Sequence, residues 1–178
     1  MIYTGEALGG ALYLEGHLHR GLAGAGGELG HTFVQLDGEL CRCGRRGCWE
    51  TIATLRWLRG EAAALGLPDP AGMNARRLVA VAGEGNETAS ALLDRYARNV
   101  SVGIANLQQT MAPNFFILHG DVVGGGPVMT EAIDRHVRQL VPTRPGGEVE
   151  IVAGDAEDVA ALRGAAGLVL SEALQFAV

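Results

Sequence analysis

The sequence predicts an α/β domain in which a mixed sheet is flanked by helices, with one cysteine-rich loop set against that frame. Three observations carry the expectation. Short apolar runs of strand length alternate with longer stretches of helical period, the order that layers helices on a sheet through crossover connections. Residues 115–118, Phe-Phe-Ile-Leu, are apolar without alternation, as in a strand covered on both faces. All three cysteines fall within eight positions, in a loop rich in glycine and arginine.

Taken in order, residues 2–4 and 10–15 read as short strands around a glycine-rich turn at 5–10, and 16–20 as a hairpin return. Residues 32–36 are a further strand candidate before the Asp37-Gly38 turn. A helix opens at Glu50, where a carboxylate in the first turn complements the helix dipole. Helical sequence runs to about Leu65 and stops at Gly66-Leu67-Pro68; residues 73–83 form another short helix. The strongest helix spans 86–111. There Leu92, Tyr96, Val100, Ile104, Leu107 and Met111 recur at three- and four-residue steps and form a stripe that is core or subunit interface. Pro113 ends it. After the 115–118 strand come a turn over 120–126, a helix over 127–140, a strand over 148–152 and a final helix over 156–176. Trp49 and Trp57 are read as packing anchors.

The chain has 178 residues, 48% of them hydrophobic, which suits one domain, or the larger lobe of a bilobal protein, with a core that does not depend on a metal. The net charge of −6 opposes tracking of a phosphate backbone, and the one basic knot is Arg42, Arg45 and Arg46. There is neither a run of membrane-spanning length nor a basic, apolar, small-residue leader at the start. A cytoplasmic protein without a membrane partner is therefore expected.

The pattern Cys41-x-Cys43-Gly44-x-x-Gly47-Cys48, with His31 upstream, offers one imidazole and three thiolates. That is a full tetrahedral set for Zn2+ in a closed structural site. Two other readings stand beside it: a disulfide with one thiol left over, and reduced core thiols. A Cys-x-Cys pair is poorly placed to bridge itself, an odd count does not suit an oxidised scaffold, and buried thiols normally sit on periodic apolar faces. Two carboxylates, Glu28 and Glu50, are interleaved with the four donors, and a metal satisfied by sulfur has no need of them.

Gly27-Glu28-x-Gly30-His31 and Cys41-x-Cys43-Gly44-x-x-Gly47-Cys48-x-Glu50 are similar to the signature of the ROK family of repressors, open reading frames and kinases. Gly9-Gly10, Gly16, Arg20-Gly21 and Ile117-Leu118-His119-Gly120-Asp121 extend the likeness over nearly the whole chain. It matches only the C-terminal lobe of that family, whose fold is the ribonuclease H-like, actin-like ATPase lobe pair. The resemblance implies that His31, Cys41, Cys43 and Cys48 hold structural zinc. It also implies that Glu28 and Glu50 hold sugar hydroxyls and that the His31 ring reaches the sugar too. A plainer role stands beside each acid: a turn carboxylate serving a backbone amide for Glu28, a helix-start cap for Glu50.

Within that family the kinases take an aspartate general base and a first phosphate loop from the N-terminal lobe, which has no counterpart here, and catalysis by this chain is not expected. The turn that in kinases resembles Gly-Thr-Gly-x-Gly reads Gly5-Glu6-Ala7-Leu8-Gly9. Glu6 would set a negative charge beside a phosphate, and Ala7 adds a β-carbon where close approach is wanted. Asp37, Asp121 and Asp155 all fall in turns. These departures point to the regulator branch. Residues 1–178 would be the sugar-binding effector and dimerisation domain of a transcriptional regulator, a repressor, with a monosaccharide or sugar derivative as effector. The N-terminal lobe and a winged helix-turn-helix would lie upstream, DNA would be touched only through that other domain, and the assembly would be a homodimer or homotetramer. The alternative is the C-terminal lobe of an ATP-dependent, glucokinase-like sugar kinase. A third reading, a zinc knuckle gripping nucleic acid through its arginines, is opposed by the acidity and by the large apolar fold around the loop.

Overall fold

The computed structural model describes residues 1–142, 148–154 and 159–175. In chain order its strands are β1 (Ile2–Thr4), β2 (Leu8–Gly10), β3 (Tyr13–Leu14), β4 (His17–Leu18), β5 (Phe115–Gly120) and β6 (Glu150–Ala153). Its helices are α1 (Leu55–Ala64), α2 (Ala75–Gly83), α3 (Glu87–Met111), α4 (Asp121–Gly124), α5 (Gly126–Leu140) and α6 (Val159–Gln175).

Helix α3 forms where the apolar stripe is strongest, and both of its ends are capped. The Asn86 side chain accepts from the Ala89 amide at 2.9 Å, meeting one of the donors a helix start leaves open. Ala112 leaves the helix in the left-handed region at φ 46°, and Pro113 follows. Leu92, Tyr96, Val100, Ile104 and Leu107 are buried within this chain, so the stripe is core rather than a free interface, and only Met111 at its end is exposed. Helices α2 and α5 pack along α3. Asn74 caps α2 through the Arg77 amide at 2.8 Å.

A four-stranded sheet in the order β2-β1-β5-β6 completes the layers. β1 runs antiparallel to β2 and parallel to β5, and β5 runs parallel to β6, which is the mixed sheet expected. Strands β3 and β4 make a separate hairpin. The parallel strands β1 and β5 end together at Thr4 and Gly120. There the Thr4 hydroxyl accepts from the Val122 amide at 3.1 Å and fastens α4 to β1.

Five local expectations change. Strand β2 lies at 8–10, inside the predicted glycine turn, because Leu8 enters the core and Gly9 and Gly10 pair with Tyr3 and Ile2. Residues 32–36 make no strand but a single bridge, Phe33 to Cys48. The helix expected at Glu50 starts at Leu55, after a single 3₁₀ turn at Trp49–Thr51. The run at 115–118 is covered on one face: Phe116 and Leu118 are buried while Phe115 is exposed. The turn at 120–126 contains helix α4 and breaks at Gly125 and Gly126, with Pro127 in the first turn of α5, where its missing amide costs nothing. Asp155 and the predicted ends of the last helix lie outside the described residues. Among the described residues no helix is long and apolar enough to cross a membrane.

Candidate functional site: a four-donor strap beside two carboxylates

The segment from Glu28 to Glu50 is a strap held by turns and single bridges. A 3₁₀ turn at Leu29–His31 sets the imidazole. The Phe33–Cys48 bridge returns the chain beside it, and the Val34 amide donates to the Gly47 carbonyl at 2.9 Å. Gly47 has φ 73°, and any β-carbon there would collide with the Gln35 carbonyl oxygen, so only glycine fits the return. At the tip, the Cys41 amide donates to the Arg45 carbonyl at 2.7 Å and the Gly44 amide to the Cys41 carbonyl at 2.9 Å. The tip folds the sulfurs inward.

His31, Cys41, Cys43 and Cys48 bring one donor atom each to within 4.8 Å of one another. The Cys43 and Cys48 sulfurs are 3.6 Å apart, and Cys41 Sγ lies 3.6 Å from His31 Nδ1. Tetrahedral zinc with bonds of about 2.3 Å to sulfur and 2.0 Å to nitrogen requires edges of roughly 3.5–3.8 Å; both 3.6 Å separations match, and the chemistry of the donor set suits such a metal. No disulfide is formed. The thiols are unequal. Burial pushes the Cys41 thiol up to about 12, whereas the Arg45 amide and guanidinium pull exposed Cys43 down to about 6. Burial also raises Cys48. The arginine knot therefore works inside the strap: Arg45 stabilises the Cys43 thiolate and lies 5.3 Å over the Phe33 ring, and Arg46 donates to the Gly38 carbonyl at 3.4 Å.

Both interleaved acids gather here. Glu50 is buried, with Oε1 2.9 Å from Cys41 Sγ and 3.9 Å from His31 Nδ1. Glu28 is exposed, with Oε2 3.8 Å from His31 Nε2. One ring nitrogen thus faces the sulfurs and the other faces Glu28. Neither acid takes its plainer role, since Glu28 makes no side-chain cap to the Leu29–His31 turn and α1 begins beyond Glu50, after Thr54.

The other turn acids behave differently. Asp121 is no loop residue: it opens α4, accepts from the Ala75 amide at 3.2 Å and from the Tyr96 hydroxyl at 3.4 Å, and burial raises its pKa. Glu6 accepts from Arg59 at 2.6 Å, so the glycine turn presents an ion pair rather than a lone negative charge. Sequence reasoning missed Arg45 and Arg59 as partners of Cys43 and Glu6. The arginine knot was the only signal for the first, and the second pair is separated by half a hundred residues.

Fold and strap together define an α/β lobe that carries a cluster of one imidazole and three thiols able to hold a metal ion, with two acids beside it. The chain belongs to the ROK family, whose profile matches residues 1–172. It is 34% identical to an N-acetylmannosamine kinase of Escherichia coli O7:K1 over 174 residues, covering 97% of this chain and 57% of that protein. It is similar to the structure of a ROK family glucokinase from Streptomyces griseus in complex with glucose and AMPPNP, at 31% identity and TM-score 0.80, over 94% of this chain and 58% of that one. A ROK family transcriptional regulator, a homologue of the E. coli MLC protein, aligns at 24% identity and TM-score 0.72, over 85% of this chain and 40% of that one. The chain spans about half the length of the curated relatives it matches.

These comparisons overturn the regulator reading. The curated relatives named by the match are sugar kinases, and at 24% identity the regulator shares the fold alone. The charge argument that favoured a regulator fails for a physical reason as well, because Glu6 is already neutralised by Arg59.

Proposed function

We propose that this chain is the zinc-carrying, sugar-binding lobe of an ATP-dependent ROK sugar kinase. The observation that carries the reading is that Glu28 and Glu50 lie against the two nitrogens of His31 beside the four-donor cluster. In this reading His31, Cys41, Cys43 and Cys48 hold Zn2+, and the metal supplies fixed geometry rather than a reacting group. His31 would ligate through Nδ1, which leaves Nε2 free beside Glu28 to meet a sugar oxygen. Ionised carboxylates accept from adjacent hydroxyls, and bonds to a charged group contribute about 1.5–3 kcal/mol each. The substrate class is a hexose or N-acetylated hexosamine, as the names of the relatives suggest. The nucleotide would lie at the shared carboxyl ends of β1 and β5, beside the Gly5-Glu6 turn and α4, where open α/β sheets take their ligands. The general base would come from the portion of the relatives that this chain does not match.

The test is an ATP-coupled assay of the complete gene product with glucose and N-acetylmannosamine, paired with calorimetric titration of both sugars. Sugar-dependent ATP consumption, lost in a Glu50→Gln variant that retains its metal, is the expected result. Absence of turnover with either sugar, together with no heat of sugar binding, sinks the reading.

A further inference from the structure

Trp49 stands between a thiol of the metal centre, Cys48, and a sugar-site acid, Glu50, and its side chain is entirely buried. The indole N–H donates to the main-chain carbonyl of Asn99 at 2.8 Å. The Asn99 side-chain amide donates in turn to the Ile52 carbonyl at 2.8 Å. One residue of α3 thus holds both ends of the turn that follows Cys48. One helical turn further along α3, Gly103 meets the flat of the ring, and a β-carbon there would overlap Trp49 Cδ2, Cε2 and Cε3. Glycine weakens a helix interior, yet α3 carries one in its best-buried stretch. Close approach of the indole is the physical reason.

We propose that Asn99 and Gly103 are positioning residues of the metal and sugar site. Gly103 through the Trp49 ring, and Asn99 through its main-chain hold on the indole and its side-chain hold on the Ile52 carbonyl, set where Cys48 Sγ and the Glu50 carboxylate point, although neither residue touches metal or sugar. The transmission is short. The Thr51 hydroxyl donates to the Cys48 carbonyl at 2.7 Å and the Thr54 hydroxyl to the Glu50 carbonyl at 2.9 Å, so a ring pushed off α3 carries that main chain with it. A tetrahedral centre tolerates bond-length changes of only about 0.2 Å, and a close-packed interior passes displacement on rather than absorbing it. This inference rests on the zinc and sugar reading above.

The test loads the chain with cobalt(II), whose visible ligand-field and thiolate charge-transfer bands report tetrahedral sulfur geometry. Four variants are compared: Gly103→Ala, Asn99→Ala, the pair Gly103→Ala with Trp49→Phe, and Leu78→Ala as a core control on α2. Gly103→Ala is expected to alter the cobalt spectrum and speed metal release to a chromophoric chelator by about tenfold, the scale of lost supporting contacts around metal ligands. Asn99→Ala moves both readouts the same way by less. The smaller phenyl ring relieves the clash in the double variant and brings both part of the way back, the bond to the Asn99 carbonyl being lost with the indole, while Leu78→Ala lowers the melting temperature and leaves both unchanged. Should Gly103→Ala fail to fold, Asn99→Ala and the double variant decide. The inference is overturned if Gly103→Ala and Asn99→Ala lose thermal stability as Leu78→Ala does yet keep the wild-type spectrum and release rate. A wild-type chain that takes up neither cobalt nor zinc sinks the underlying functional reading instead.

Discussion

The strap and helix α3 solve the same problem, how to hold a backbone still, by opposite means. Along α3 the stripe from Leu92 to Leu107 is buried and the ends are capped, so burial and the helical ladder suffice. In the strap, large apolar side chains face outward: Leu36 is 89% exposed, Leu40 58% and Phe33 54%. Its backbone is secured by isolated bridges and by whatever the four donors hold. A region without its own core needs a ligand or a mount, and here it has a candidate for each: the metal within and α3 beneath Trp49. The proposed function sits on that less self-sufficient region, as is usual for loops carried by a rigid scaffold.

The comparison can be broken or sharpened by substitution, beginning with the largest effect. Cys43→Ser should release the metal and abolish sugar binding while far-UV circular dichroism of the helices persists. Elemental analysis and calorimetry read the first two, and loss of the helical signal together with the metal would show that strap and core are one cooperative unit. Ile133→Ala empties part of the α5 face that lies within the core and should cost about 2–5 kcal/mol in urea unfolding, with metal content unchanged below the transition. Glu50→Gln should keep the metal and weaken sugar binding by about 1.5–3 kcal/mol, measured by titration; equal metal loss in this variant and in Cys43→Ser would mean that Glu50 belongs among the ligands.

The smallest effect is electrostatic. Burial pushes the Asp94 carboxyl up, but His136 at 2.9 Å and Arg135 at 2.7 Å outweigh it and hold the group below its ordinary range. A depressed carboxylate adds stability that is fully present above the unfolded value of about 3.9 and fades as pH falls through the lower folded one. The side chain is half exposed, so Asp94→Asn should cost less than about 1 kcal/mol at neutral pH. In acid titration its stability should begin to approach the wild type below pH ~4 and meet it only once the pH has fallen below the depressed folded pKa; a difference that persists beyond that point would make the contact steric rather than ionic.

Much of the architecture was legible because its signals are local. The period of Leu92, Tyr96, Val100 and Ile104 and the stop at Pro113 located the longest helix closely. The four donors could be grouped from their spacing alone, since cysteines so close in a glycine-rich loop have little room to do otherwise. Expectations failed where a partner distant in the chain decided the outcome. The glycines at 9 and 10 look like a turn until β1 pairs with them. Glu6 looks repulsive to phosphate until Arg59 meets it, and Glu50 looks like a helix cap until Cys41 lies against it. The regulator reading, which the kinase relatives overturn, had weighed Glu6 without its partner.

By itself, then, the sequence located the main helices and the strand at 115–118 and picked out four clustered donors with two acids among them, because periodicity and ligand chemistry act over a few residues. Only the tertiary structure decided that Glu50 is buried against the sulfurs, that Glu28 and His31 share its edge, and that Gly103 receives the ring of Trp49. Those contacts join segments that share no local pattern, and three-dimensional packing alone brings them within reach.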